Sequence, residues 1–189
     1  MSMRVENIYK LFGDKKVLSN FTADFPQGEI TCVMGPSGSG KTTLINILMG
    51  TVKPTSGQVA GVPKQIAAVF QEDRLCETAS AGANVKLVYP KGDIAENLAA
   101  VGLCGEDITK PASELSGGMR RRVALVRAVM SKGETLFLDE PFKGLDDETR
   151  AAAVEYLLEN LAGRTAVVIT HDPKDVAALK ANLITLESI

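Results

Sequence analysis

Gly35-Pro36-Ser37-Gly38-Ser39-Gly40-Lys41-Thr42 is the stretch from which the rest of the chain can be read. It fits G-x-x-x-x-G-K-[ST], a loop whose backbone N–H groups surround phosphates while the lysine neutralises them and the last hydroxyl reaches a magnesium ion. Its flanks fit too: Ile30-Thr31-Cys32-Val33-Met34 reads as a buried strand, and Lys41 to Met49, Thr43 included, as a helix ending at Gly50. The glycines allow tight turns against a ligand, and the helix start behind them offers unpaired donors and a positive dipole end. In a chain of this composition about 0.01 such matches arise by chance. A glycine-rich turn before an ordinary core helix is therefore a much weaker reading. The loop alone implies a bound nucleotide without saying which.

Other polar residues stand at strand ends, where open α/β sheets bind ligands. Ile66 to Phe70 is an apolar run that stops at Gln71, a residue that taken alone is simply a solvated loop position. Thr135-Leu136-Phe137-Leu138 reads as a strand buried on both faces and stops at Asp139-Glu140-Pro141. In isolation those acids suit a surface turn. Beside a phosphate loop, Asp139 can hold magnesium and Glu140 can orient and deprotonate a water for attack on phosphorus. Thr165 to Thr170 is another buried run, ending at His171, the only histidine.

Upstream, Arg4 to Tyr9 and Val17 to Phe25 read as two strands around a turn at Gly13-Asp14, with Phe21, Ala23 and Phe25 alternating. Antiparallel pairing is expected. Phe12 falls between them, either a core aromatic or a platform for a flat base, and the residues alone favour the core. Thr51 to Gly61 and Gly105 to Pro111 read as loops. Ser80 to Leu103 is helical with a break at Pro90-Lys91-Gly92 and a cap at Asp93. Ser116 is expected to cap a helix with Gly117 and Gly118 in its first turn, where each costs about 1 kcal/mol relative to alanine. Close backbone approach to something outside the helix would explain them. Arg120-Arg121-Arg122 reads as a solvated helix face. Gly144 to Asp147 opens a long helix through Leu161, followed by a short helix at Lys174 to Lys180 and a last strand at Leu183 to Leu186.

The alternation of short strand-like and longer helix-like runs is an α/β pattern. With 189 residues, one domain is expected. Apolar residues at 45% and a net charge of -2 exclude a disordered polar chain and argue against nucleic acid as a partner. Cys32, Cys76 and Cys104 form no C-x-x-C pair, which suits reduced thiols in a cytosolic protein rather than a zinc site. No apolar run reaches the roughly 18 residues of a membrane span.

In their order along the chain these motifs resemble the ATP-binding subunit of ABC transporters, and the resemblance covers nearly the whole chain. It implies a P-loop NTPase fold with a mostly parallel central sheet, an N-terminal antiparallel β portion and a small helical lobe at approximately 72–130, in one domain spanning 1–189. It makes Gly35 to Thr42 the Walker A loop and Gln71 the Q-loop glutamine that senses the γ-phosphate and its metal. It makes Leu115 to Met119 the signature, Leu136 to Asp139 Walker B, Glu140 the catalytic glutamate, Asp146 the D-loop aspartate and His171 the switch histidine. Phe12 becomes the base-stacking aromatic.

ATP and Mg²⁺ are the implied cofactors, with Thr42, Gln71 and Asp139 on the metal. The implied partners are a second ATPase copy, alike or related, a membrane permease and a substrate-binding protein, and the implied place is the cytoplasmic face of the membrane. Met119 stands where the family usually has glutamine, and the segment between Gln71 and Ser116 is short for the family. Residues 69–75, 115–120 and 139–142 look most like the importer branch for nitrate, sulfonate and taurine. The alternative is a soluble ABC ATPase of a non-transport assembly such as iron-sulfur cluster building. A chromosome-organising ATPase would need a coiled coil between Lys41 and Ser116, and no heptads fill that stretch.

Overall fold

A computed structural model describes residues 2–187. Its centre is a five-stranded sheet formed by β3 (Ile30–Met34), β5 (Ile66–Val69), β6 (Thr135–Asp139), β7 (Thr165–Ile169) and β8 (Asn182–Thr185), in the order β5-β6-β7-β3-β8. Every pairing in it is parallel. β6 and β7 are buried along their whole length, as continuous apolar runs require. Alternate side chains go to opposite faces. Val33, Phe137, Val167 and Ile169 face one core, with Leu44, Ile47 and Leu48 of α1 (Lys41–Leu48). Leu136, Leu138, Ala166 and Val168 face the other.

A smaller antiparallel sheet, β1 (Met3–Phe12), β2 (Lys15–Phe25) and β4 (Ser56–Ala60) in the order β2-β1-β4, adds Val5, Ile8, Leu18 and Phe25 to the first core. The expected pairing of β1 with β2 is present. The expected loop at 51–61 is wrong over Ser56–Ala60, which pairs antiparallel with β1 as an edge strand. Its residues are exposed except for the half-buried Val59, so it shows none of the apolar alternation that marks a strand.

The second core is covered by α2 (Ala81–Lys86), α3 (Ile94–Ala100), α5 (Gly117–Met130) and α6 (Asp147–Asn160), with α7 (Pro173–Leu179) beside α6. Ser80 and Asp93 cap α2 and α3 by accepting from the N–H of Ala83 and Glu96. The expected loop at 105–111 contains one helical turn, α4 (Glu106–Thr109), with no buried residue to announce it.

The arginine triplet is not a solvated face. Arg121 is only 8% exposed. Arg120 pairs with Glu77, and Arg122 donates to the carbonyls of Val101 and Gly102. The core placement of Phe12 is likewise wrong, because its ring is 51% exposed. The three cysteines are free thiols, Cys32 buried and Cys76 and Cys104 exposed. Burial pushes the Cys32 thiol up to about 12, helped by the charge of Asp175. Among the described residues, no helix is long and apolar enough to cross a membrane.

Candidate active site

The loop after β3 owes its shape to two glycines. Gly35 has φ 151°, and a Cβ there would lie 2.2 Å from the Leu186 carbonyl oxygen. Gly40 precedes α1 at φ 97°, and its Cβ would lie 2.8 Å from the Val17 carbonyl oxygen on β2. Both approaches exclude larger residues, so the antiparallel sheet and the chain after β8 mould the loop. Lys41, the first residue of α1, folds its ammonium back onto the carbonyls of Gly35 and Pro36, 2.8 Å from each. The buried Ser39 hydroxyl finds no partner among the described residues. Backbone donors at the start of α1, the dipole of that helix and an ammonium together make an anion site.

The strand ends bring the acids to this loop. Asp139, the last residue of β6, accepts from the Thr42 hydroxyl at 2.9 Å and is only 5% exposed. Burial raises its pKa above the ordinary carboxylate value, and the neighbouring Glu140 adds to the rise. The Thr42 bond and the charges of Arg121 and Lys41 oppose it. A hydroxyl and a buried carboxylate side by side suit Mg²⁺, a hard cation that takes few protein oxygens and keeps water and substrate oxygens for the rest. The described residues hold no cluster of three or more His, Cys, Asp and Glu that could hold a metal ion.

Glu140 stands in the left-handed region at φ 52°, an uncommon place for a non-glycine residue and one that active sites tolerate. Its N–H is held by the Ile169 carbonyl at 3.0 Å, so β7 fixes the turn. Its Oε2 lies 3.0 Å from His171 Nδ1 and 3.8 Å from Lys143 Nζ.

The loop, the acids, Gln71 and His171 line one cleft of about 540 Å³. The structure brings Phe12, Gly35, Ser37, Gly38, Gly40, Lys41, Thr42, Thr43, Gln71, Asp139, Glu140 and His171 together in its wall. Pro36 contributes its carbonyl to Lys41, and Ser39 is buried beneath the loop. Ser116, Gly117, Gly118 and Asp146 are absent from that wall. Ser116 caps α5, accepting from Met119 N–H at 3.3 Å, and a Cβ on Gly117 would meet nothing within 4 Å. Asp146 caps α6 through the N–H and hydroxyl of Thr149, both at 2.9 Å.

Lys15, Val17, Lys143 and Ile169 also line the cleft, and none of the four was among the candidate site residues. Lys143 carried a usable signal, since it follows Glu140 by one turn and its charge can reach that carboxylate. Lys15 and Val17 are placed by the pairing of β1 with β2, which no local motif encodes.

A phosphate loop after one parallel strand, β3, with a Thr–Asp pair and a glutamate at the end of another, β6, defines a P-loop nucleoside triphosphatase. The ABC transporter family model matches residues 18–143. An aliphatic sulfonates import ATP-binding protein, SsuB 3 of Rhodococcus jostii, is 36% identical over an alignment taking in 100% of this chain and 72% of that protein. SsuB 1 of Frankia alni is 37% identical over 98% of this chain and 71% of its own length. The dimeric structure of MJ0796, a bacterial ABC transporter cassette, superposes with a TM-score of 0.82 at 27% identity, covering 98% of this chain and 94% of that one. A post-hydrolysis state of the same cassette, bound to ADP and Pi, gives the same score over 98% of this chain and 96% of that one. The chain belongs to the ABC transporter family and is an ATP-binding, ATP-hydrolysing member of it.

Proposed function

We propose that this chain powers an importer of the sulfonate type, working as a dimer that clasps ATP between two copies and drives a separate membrane permease served by a substrate-binding protein. The observation that carries the reading is the split in the site. One chain supplies a phosphate cradle, while its capped, glycine-containing start of α5 contributes nothing to the wall of its own cleft. A second copy of Ser116, Gly117 and Gly118 on the open side of the cleft would add the donors of another helix start to the triphosphate, so ATP would hold the two copies together. The names of the SsuB relatives support import and the sulfonate class of cargo. A place on the cytoplasmic face of the membrane follows from that partnership, with the exposed Leu87 and Tyr89 just beyond α2 as apolar surface for the permease.

In the proposed mechanism the Lys41 ammonium leaves the Gly35 and Pro36 carbonyls for the β- and γ-phosphates, and Phe12 stacks on the base. Thr42, Asp139 and Gln71, which line the same cleft, would hold Mg²⁺. When bound, that ion supplies charge neutralisation at the phosphate oxygens. Glu140 orients the attacking water and takes its proton, and His171, already on Glu140 Oε2, steadies that carboxylate and faces the γ-phosphate. Glu140→Gln should keep ATP affinity, lower turnover about 10²- to 10⁴-fold, and accumulate an ATP-dependent dimer on size-exclusion chromatography. A variant that hydrolyses at the wild-type rate, or that stays monomeric with saturating ATP, overturns the assignment. Co-purification with an integral membrane permease tests the transport half.

A further inference from the structure

The segment from Phe70 to Ala79 leaves β5 and runs without regular secondary structure to α2, so its carbonyls need partners outside a ladder. Arginines of α5 supply many of them. Arg121 donates through Nη1 to the Phe70 carbonyl and through Nη2 to the Gln71 carbonyl, at 2.7 Å each, and Nη1 lies 3.2 Å from Asp73. Arg127 holds the carbonyls of Asp73 and Arg74 at 3.1 and 3.0 Å. Arg120 pairs with Glu77 at 2.6 Å. Of these three, Arg121 alone bonds to the backbone of the residue that enters the nucleotide cleft, and it is the buried one.

We propose that Arg121 is a positioning residue for Gln71, its guanidinium gripping the carbonyls of Phe70 and Gln71, one before and one after the Gln71 Cα, so that Gln71 and the helix headed by Ser116 move as one piece. The inference rests on the reading that Gln71 acts in the cleft. A planar fork with two parallel donors suits two successive carbonyls, which a lysine ammonium cannot reproduce. Burying a cation is costly, and an apolar side chain of similar volume would often fill the same space with no loss of stability. What the arginine adds here is geometry. Ser116 lies five residues before Arg121 on the same rigid helix. A displacement of Gln71 by the γ-phosphate is therefore passed to the surface offered to the second copy.

The test compares the purified full chain with Arg121→Lys, Arg127→Lys and Gln71→Ala, measuring kcat and KM for ATP, affinity for a fluorescent ATP analogue, and Tm. Arg121→Lys is expected to lower kcat about 10-fold while KM and analogue affinity stay within about twofold. Arg127→Lys, which loosens the same segment beyond Gln71, is expected to lose a similar Tm and keep its kcat. The Arg121→Lys, Gln71→Ala double variant should be no slower than Gln71→Ala alone, because residues acting as a unit are not additive. Arg121→Gln, which keeps a neutral donor, replaces Arg121→Lys if the latter does not fold. Equal kcat losses in the Arg121 and Arg127 variants, or additive losses in the double variant, overturn the inference while leaving Gln71 its role. A Gln71→Ala enzyme with normal kcat overturns that role, and the inference with it.

Discussion

At the start of α1 two glycines answer to the chain's own packing, since a Cβ on Gly35 would lie 2.2 Å from a backbone oxygen of the segment after β8 and one on Gly40 2.8 Å from a backbone oxygen of β2. At the start of α5 the space beside Gly117 is empty out to 4 Å, although a glycine in the first turn weakens a helix. The two helix starts share a design, backbone donors behind a small-residue loop, and differ in what surrounds them. The first sits in a finished cleft with three lysines, two acids and a histidine. The second has a serine cap and open space beside Gly117, with the Leu145 side chain 3.3 Å from where a Cβ on Gly118 would lie. A glycine whose cost the fold does not explain points to a surface that approaches from outside, which is the physical basis of the dimer proposed above.

The largest effects should come from separating the two starts. Lys41→Ala is expected to weaken ATP binding about 10²-fold, because it removes the one lysine charge within the phosphate loop. Ser116→Arg should bind ATP with near-normal affinity and lose turnover by about 10²-fold, because the arginine blocks the second copy. Mixing the two inactive chains in equal amounts should restore roughly a quarter of the wild-type ATPase activity, since half of randomly paired dimers carry one intact composite site of two. No recovery on mixing would break the comparison at its root. Phe12→Ala should raise KM for ATP about 10-fold, the loss of one base–aromatic stack, with kcat unchanged. An unchanged KM would remove Phe12 from the nucleotide face.

The smallest effect concerns stability within the first start. Burial holds the Asp139 carboxyl above its ordinary value of 3.8, so folding favours the protonated form. The stability this group contributes is fully present below that value and is lost as pH rises through the raised one. Asp139→Asn should therefore stabilise the nucleotide-free chain at neutral pH, raising Tm by roughly 2–4 °C, the shift that about 1 kcal/mol produces in a chain of this size. The gain should shrink towards acid pH while ATP turnover is lost. A lower Tm at pH 7 would show that the Thr42 bond outweighs the cost of burying the charge.

Much of the framework was legible because burial and sequence pattern coincide in it. β3, β6 and β7 are apolar runs ended by turn or polar residues, and Ser80, Asp93 and Ser116 announce helices that they do cap. β4 was hidden because an exposed edge strand needs only a partner, here β1, and carries no alternation. α4 was hidden because a single turn buries nothing. The arginine triplet misled for another reason. Charge in a sequence suggests solvent, whereas Arg121 and Arg122 are drawn inward by carbonyls of distant loops whose positions only the fold determines. Half of the cleft could be assembled from strand ends, but its Lys15 and Val17 wall depends on the register of an antiparallel pair.

The three thiols also provide a built-in way to watch the chain move. Cys32 lies inside β3, where it is sealed from solvent and stays in the unreactive protonated form at neutral pH. Cys76 sits on the arginine-held segment, its N–H on the Asn84 side chain at 2.8 Å, and Cys104 lies between α3 and α4, both open to solvent. A maleimide fluorophore or spin label added to the unaltered chain will therefore attach to the helical side of the molecule and leave the strand beneath the phosphate loop untouched. Removing one exposed thiol at a time would give single-site probes, and nucleotide-dependent changes in their separation across a dimer would be read directly from the labels.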